Sequence, residues 1–122
     1  MTGGAGFIGS HIVEALGDAG ADVVVFDNLA GRADTGFPEY LDPRADLRRV
    51  DVTDAAAVAA AIDGVDGVCH QAARVGLGVN LADITSYVHD NDVGTAVLLG
   101  ALCEPDRSGS GGGLGYPRTA GR

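Results

Sequence analysis

The chain has 122 residues and a formal net charge of −9 at neutral pH. That size allows one domain with a modest core, and the charge argues against nucleic acid or an anionic membrane as partner, because both are bound by clustered Lys and Arg. It contains no lysine, no apolar run near the ~18 residues of a membrane span and no signal-peptide pattern, so cytoplasm is the default; Cys69 and Cys103 lack metal-ligand spacing and read as reduced packing residues.

The first ten residues organise the rest. Gly3, Gly6 and Gly9 recur at intervals of three and overlap the tighter pattern Gly4-x-Gly6-x-x-Gly9. In a phosphate-cradling turn one glycine permits a backbone angle closed to other residues, the next admits a pyrophosphate, and the last lets the following helix pack close. A helix is expected from Ser10 to Leu16, ended by Gly17 and Gly20, with its N–H groups and positive dipole end aimed at the phosphates. Residues 22–26 read as a buried parallel strand ending in Asp27, where a carboxylate can accept both hydroxyls of a ribose. Only Met1 stands where a central strand should feed the glycine turn, so the first strand is expected to be missing. Met1 is then either an internal strand residue read as an initiator or the mark of a real truncation.

Residues 29–44 carry Gly31, Gly36, Pro38 and Pro43 among charges and read as an irregular loop with no assigned chemistry. Residues 47–52 read as the third strand, closed by Thr53 and Asp54 as a helix cap, and 55–62 as an alanine-rich helix with Val58 and Ile62 on one face. Residues 65–70 read as the fourth strand, followed by the small turn Gln71, Ala72, Ala73. His70 reads as a packing residue, and Arg74 either touches a phosphate or faces solvent. Residues 83–102 read as one long helix capped by Asp83, apolar on the face of Val93, Val97 and Leu98. Beyond Cys103 the apolar pattern stops, and 104–122 is expected to be a disordered tail, with the abrupt change pointing to a shifted reading frame.

Thr2-Gly-Gly-Ala-Gly-Phe-Ile-Gly-Ser-His11, Asp27 with Asn28, Ala72 with Ala73, and Asn91-x-x-Gly94-Thr95 together resemble the extended short-chain dehydrogenases, the NAD-dependent epimerase/dehydratase family. Across residues 1–103 the resemblance implies a Rossmann-like α/β domain, a doubly wound parallel sheet lacking its first strand and C-terminal half. It further implies cofactor contacts at Gly3, Gly6, Phe7, Ile8, Gly9, Asp27, Asn28, Asp51, Val52, Ala72, Ala73 and Asn91. Asp27 would select NAD over NADP, since no arginine follows it until Arg32; Asp51 would meet the adenine amino group, its alternative being a helix-entry residue. Asn91 would face the nicotinamide side, or else be an ordinary mid-helix residue together with Gly94. A nucleotide sugar is the implied substrate, the 83–102 helix the implied homodimer contact, and residues 76–80 are most similar to a dTDP-rhamnose 4-epimerase-like subgroup. The family's catalytic tyrosine needs a lysine four residues later. Tyr87 is followed at that position by Asn91 and Tyr116 by Ala120, so no catalytic residue is assigned. Three readings follow: the inactive NAD-binding part of such an enzyme with weak cofactor affinity, a non-catalytic NAD sensor or interaction module, and a non-folding product of a decayed gene.

Overall fold

A computed structural model describes residues 1–31, 36–76 and 80–103. The 104–122 tail, Arg32 and residues 77–79 of the crossing after Gly76 lie outside the described residues.

Helix α1 (Phe7–Asp18) starts after Gly6, which is extended and supplies no side-chain cap. Its Val13 meets Met1, Val25, Leu41 and Ala45 in the main core, with Ile12, Val23, Leu47 and Cys69 packed around them. Strand β1 (Val24–Asp27) pairs in parallel with β2 (Asp46–Arg49), Val25 opposite Leu47 and Asp27 opposite Arg49. Alternation along β1 sends Val25 toward α1 and Phe26 to the other face. Leu41 is 2% exposed, so the loop given no chemistry contributes a core plug rather than a surface excursion.

The first strand is shortened to a stub, and the stub is paired on both sides. Phe26 N–H donates to Met1 O (2.8 Å) and Gly3 N–H to Phe26 O (2.8 Å). On the opposite edge Thr2 N–H donates to Cys69 O (2.9 Å) and Gln71 N–H to Thr2 O (3.1 Å). Thr2 therefore bridges Phe26 and His70, and the sheet runs β2, β1, Thr2, His70. Only this single bridge forms where a fourth strand was expected at 65–70.

Helix α2 (Ala55–Ala61) begins where Asp54 caps it, Asp54 Oδ1 accepting from Ala57 N–H at 3.0 Å, and it buries Val58 and Ala61. From Leu81 the chain is helical to Cys103, but not as one α-helix. A 3₁₀ turn (Leu81–Asp83) leads into α3 (Ile84–Tyr87), a π-helical turn (Val88–Val93) and α4 (Gly94–Cys103). The cap is Asn80 and not Asp83: Asn80 Oδ1 accepts from Ala82 N–H (2.7 Å), while Asp83 Oδ2 reaches back to Asn80 N–H (3.4 Å) as the other half of a capping box. The wide π turn also rotates the apolar stripe, leaving Val93 41% exposed while Leu98 is buried. Helix α4 packs on α2, and its close approach is made at Gly94, where a Cβ would stand 2.6 Å from Val52 Cγ1.

Candidate functional site

The glycine turn, the tip of β1, the segment after β2 and the turn after His70 converge on one cavity of about 520 Å³. The volume lies within the ~300–1,000 Å³ typical of small-molecule sites. Gly3 and Gly6, Asp27 and Asn28, Asp51 and Val52, and Ala72 and Ala73 all line it. Phe7, Ile8, Gly9 and Asn91 do not form its wall: Phe7 and Ile8 project outward from the first turn of α1, and Gly9 is buried against the glycine turn.

Two glycines set the turn. Gly3 has φ +65, the left-handed region, and a Cβ there would stand 2.6 Å from Ala72 N, so the turn and the 71–73 segment touch backbone to backbone. At Gly9 a Cβ would fall on Gly3 O and 2.8 Å from Gly4 Cα, which is why α1 can begin directly over the turn.

Asp27 stabilises this turn while facing the cavity. Its Oδ2 accepts from Ala5 N–H (3.0 Å) and its Oδ1 from Leu29 N–H (2.9 Å). An ionised carboxylate has about four lone-pair sites, so each oxygen keeps one for a further donor. Asp51 Oδ1 accepts from the Thr53 N–H (2.9 Å) and hydroxyl (2.7 Å), while Oδ2 has only a long contact from Asn28 Nδ2 (3.4 Å). The Thr53 backbone and then its hydroxyl hold the Asp51 carboxyl below the usual range.

Behind the 71–73 turn, Thr2 Oγ1 receives the N–H groups of Gln71 and Ala72, both at 3.2 Å, and lies 2.6 Å from His70 Nδ1. The other ring nitrogen, Nε2, is 3.0 Å from Thr95 Oγ1 on α4. Asn91 brackets the backbone of Arg74, accepting from its N–H (2.7 Å) and donating to its carbonyl (3.1 Å). Arg74 lines the cavity and its Nε donates to Asp90 Oδ2 at 2.5 Å. The π turn lets the consecutive residues Asp90 and Asn91 serve one segment.

Thr2, Tyr40, Asp90 and Thr95 are participants that sequence reasoning passed over. Tyr40 donates from its hydroxyl to Ala5 O (2.6 Å), tying the irregular loop to the glycine turn. No periodicity marks such a contact. Thr2 and Thr95 lay inside quoted motifs, and the signal for them was a hydroxyl at a position that turns out to be buried or half-buried. Among the described residues no group of three or more His, Cys, Asp or Glu could hold a metal ion, and no helix is long and apolar enough to cross a membrane.

The chain is 36% identical over 115 residues to a UDP-glucose 4-epimerase of Drosophila melanogaster, covering 85% of this chain and 33% of that protein. It is 40% identical over 107 residues to a dTDP-glucose 4,6-dehydratase of Mycolicibacterium smegmatis, covering 84% of this chain and 31% of that one. Among solved structures, a Thermus thermophilus UDP-glucose 4-epimerase in complex with NAD superposes with a TM-score of 0.71 at 41% identity, over 83% of this chain and 32% of that one. The chain thus spans about a third of the length of the relatives it matches. Residues 1–108 match the family described as NAD dependent epimerase/dehydratase, and the chain belongs to that family.

Proposed function

We propose that this chain is the NAD-binding part of a nucleotide-sugar epimerase or dehydratase, and that its 122 residues bind the cofactor without turning substrate over. The observation that supports this reading is the convergence of Gly3, Gly6, Asp27, Asp51, Val52, Ala72 and Ala73 on one cavity. The cavity fits the group. The glycine turn and the backbone of residues 71–72 meet with no side chain between them, and the two small side chains Ala72 and Ala73 keep the wall low. Asp27 retains one acceptor site on each oxygen for a ribose diol, and Asp51 Oδ2 is open to an adenine amino group beside Val52. Phe7, Ile8 and Gly9 begin α1 with no side-chain cap, which leaves the helix N-terminus to a phosphate. Asn91 acts at one remove by fixing Arg74 at the rim.

Two carboxylates at the ribose and adenine side disfavour a 2′-phosphate, so NAD is bound in preference to NADP. Bound NAD supplies the hydride acceptor and donor; the residues of this chain orient it and exclude bulk. The proton chemistry of the family has no support here. No lysine exists to lower a tyrosine pKa, and the Tyr40 hydroxyl is committed to Ala5 O.

A dimer is part of the proposal. Leu81, Ile84, Val88 and Leu99 are exposed along the helical stretch, an apolar surface suited to a second copy. The same surface favours a second reading, a non-catalytic NAD module that meets a different protein there.

Calorimetric titration with NAD and NADP, light scattering, and incubation with UDP-glucose test these statements together. The expected result is weak but saturable NAD binding, weaker NADP binding and no conversion. Epimerisation by the purified chain would overturn the inactive reading, and equal affinity for NADP would overturn the role of Asp27. Absence of a cooperative melt with or without NAD would remove both readings.

A further inference from the structure

We propose that His70 is a positioning residue for the dinucleotide cradle: as the neutral tautomer protonated on Nε2, it joins Thr2 to Thr95 and, through the Thr2 hydroxyl, fixes the backbone of residues 71–73. Its functional side rests on NAD occupying the cavity described above.

The tautomer follows from counting protons. A hydroxyl has one donor and two acceptor sites. Thr2 Oγ1 accepts from the Ala72 N–H and shares the Gln71 N–H with the Thr2 carbonyl, at 3.2 and 3.1 Å, an arrangement completed when its single proton goes to His70 Nδ1, 2.6 Å away. Nδ1 is therefore an unprotonated acceptor, the ring proton sits on Nε2, and Nε2–H donates to Thr95 Oγ1 at 3.0 Å. One imidazole thus spans from the first strand to α4, and its acceptor nitrogen holds the hydroxyl that organises the cavity wall at Ala72.

Protonation breaks this pattern. A proton on Nδ1 needs an acceptor site on Thr2 Oγ1, which must give up the Ala72 amide or its share of the Gln71 one, and the Thr2 proton loses its partner. The surroundings offer a cation nothing in return. The first strand presents Thr2 and α4 presents Thr95, both neutral. The nearby ionisable groups are Cys69, adjacent in the chain, the Met1 ammonium, which faces Cys69 and donates to Val24 O, and on the turn preceding Thr95 the Asp90 carboxylate, already paired with Arg74. Burial lowers the His70 pKa from its ordinary value, in keeping with a ring that is neutral in the native state.

The test uses the full chain with labelled imidazoles, followed by long-range proton–nitrogen correlation from about pH 5 to 8, the range in which histidine titrates. Amide exchange at Gln71 and Ala72 and NAD affinity are measured at the same pH values. The expected result is an Nε2–H tautomer at the alkaline end of that range, with the Ala72 amide losing protection as His70 titrates and the Gln71 amide, held also by Thr2 O, losing less. The NAD dissociation constant should rise by up to about tenfold per pH unit below that point, the limit for one linked proton. His70→Asn keeps an acceptor near the Nδ1 position and cannot titrate. At the alkaline end it should hold NAD affinity within about threefold, the worth of one modest hydrogen bond, and it should lose the pH dependence, whereas His70→Leu should weaken binding at every pH. His11 and His89, which are exposed and remain in both variants, serve as the internal control. An Nδ1–H tautomer, amide protection indifferent to the His70 titration, or an unchanged pH slope in His70→Asn would overturn the proposal. If NAD fails to bind at any pH, the cofactor reading fails, while the tautomer and the two amides still decide whether His70 holds the turn.

Discussion

Replacing Gly9 by Ala sets two magnitudes against each other. Gly9 lies in the first turn of α1, and in a helix interior Ala is favoured over Gly by about 0.8–1.0 kcal/mol, so propensity alone forecasts a more stable protein. Packing forecasts the opposite. The added Cβ would fall on Gly3 O and 2.8 Å from Gly4 Cα, and both obstacles are backbone. Gly3 cannot retreat, since it already touches the backbone of Ala72 on its other side. The helix must lift instead, at an overpacking cost of about 1–3 kcal/mol. The net expectation is a loss of up to about 2 kcal/mol, equivalent to a fall in Tm of up to roughly 15 °C for a domain of this size. NAD affinity should fall with it, because the glycine turn moves. Gly17→Ala is the control. It lies in the same helix, but its Cβ would meet side-chain rather than backbone atoms, the ion-paired guanidinium of Arg44 at 3.1 Å and Asp42 Oδ2 at 3.2 Å, so a small shift of that pair offsets the propensity gain and stability should hold. Thermal and urea unfolding followed by circular dichroism measure both variants. A Gly9→Ala protein as stable as its parent, or an equal loss in Gly17→Ala, would refute the packing account.

Other expectations concern single polar groups. Asp27→Asn keeps one acceptor but loses the charge and one ribose partner, and should weaken NAD by about 10- to 100-fold, the worth of one or two charge-assisted hydrogen bonds; titration with NAD and NADP reads both affinity and discrimination. Asp54→Ala removes the cap on Ala57 N–H and should cost about 1 kcal/mol in urea unfolding. Thr53→Val removes one of the donors that lower the Asp51 pKa, so carbon NMR should find that carboxyl titrating higher than in the parent. The sign for stability follows from the lowered folded value. Asp51 contributes above the ordinary carboxylate pKa and loses that contribution as the pH falls through its lower folded one, and the acid limb of a stability profile should shrink in the variant.

The cofactor side of the fold was legible in sequence because it is written in local constraints. Glycine spacing, a carboxylate at a strand tip, an Asp cap before an alanine run and two alanines after a histidine each act within a few residues, and the structure brings Gly3, Asp27, Asp51 and Ala72 to one wall. What depended on long-range pairing was harder to read. A strand reduced to Met1 and Thr2 looked absent, yet backbone groups on both neighbours find it. The helix after Asn80 read as uniform because a π turn carries no residue signature, and the displacement of Val93 from the core follows from geometry rather than composition. The Tyr40 hydroxyl crosses 35 positions to reach Ala5 O, a distance over which no pattern speaks.

Gly94 gives the molecule a mechanical property. Val52 lines the cavity on one side and lies against the bare backbone of α4 on the other, with no side chain between to absorb a displacement. Any widening of the cavity at Val52 would therefore meet the α4 backbone directly, with no side chain to give way.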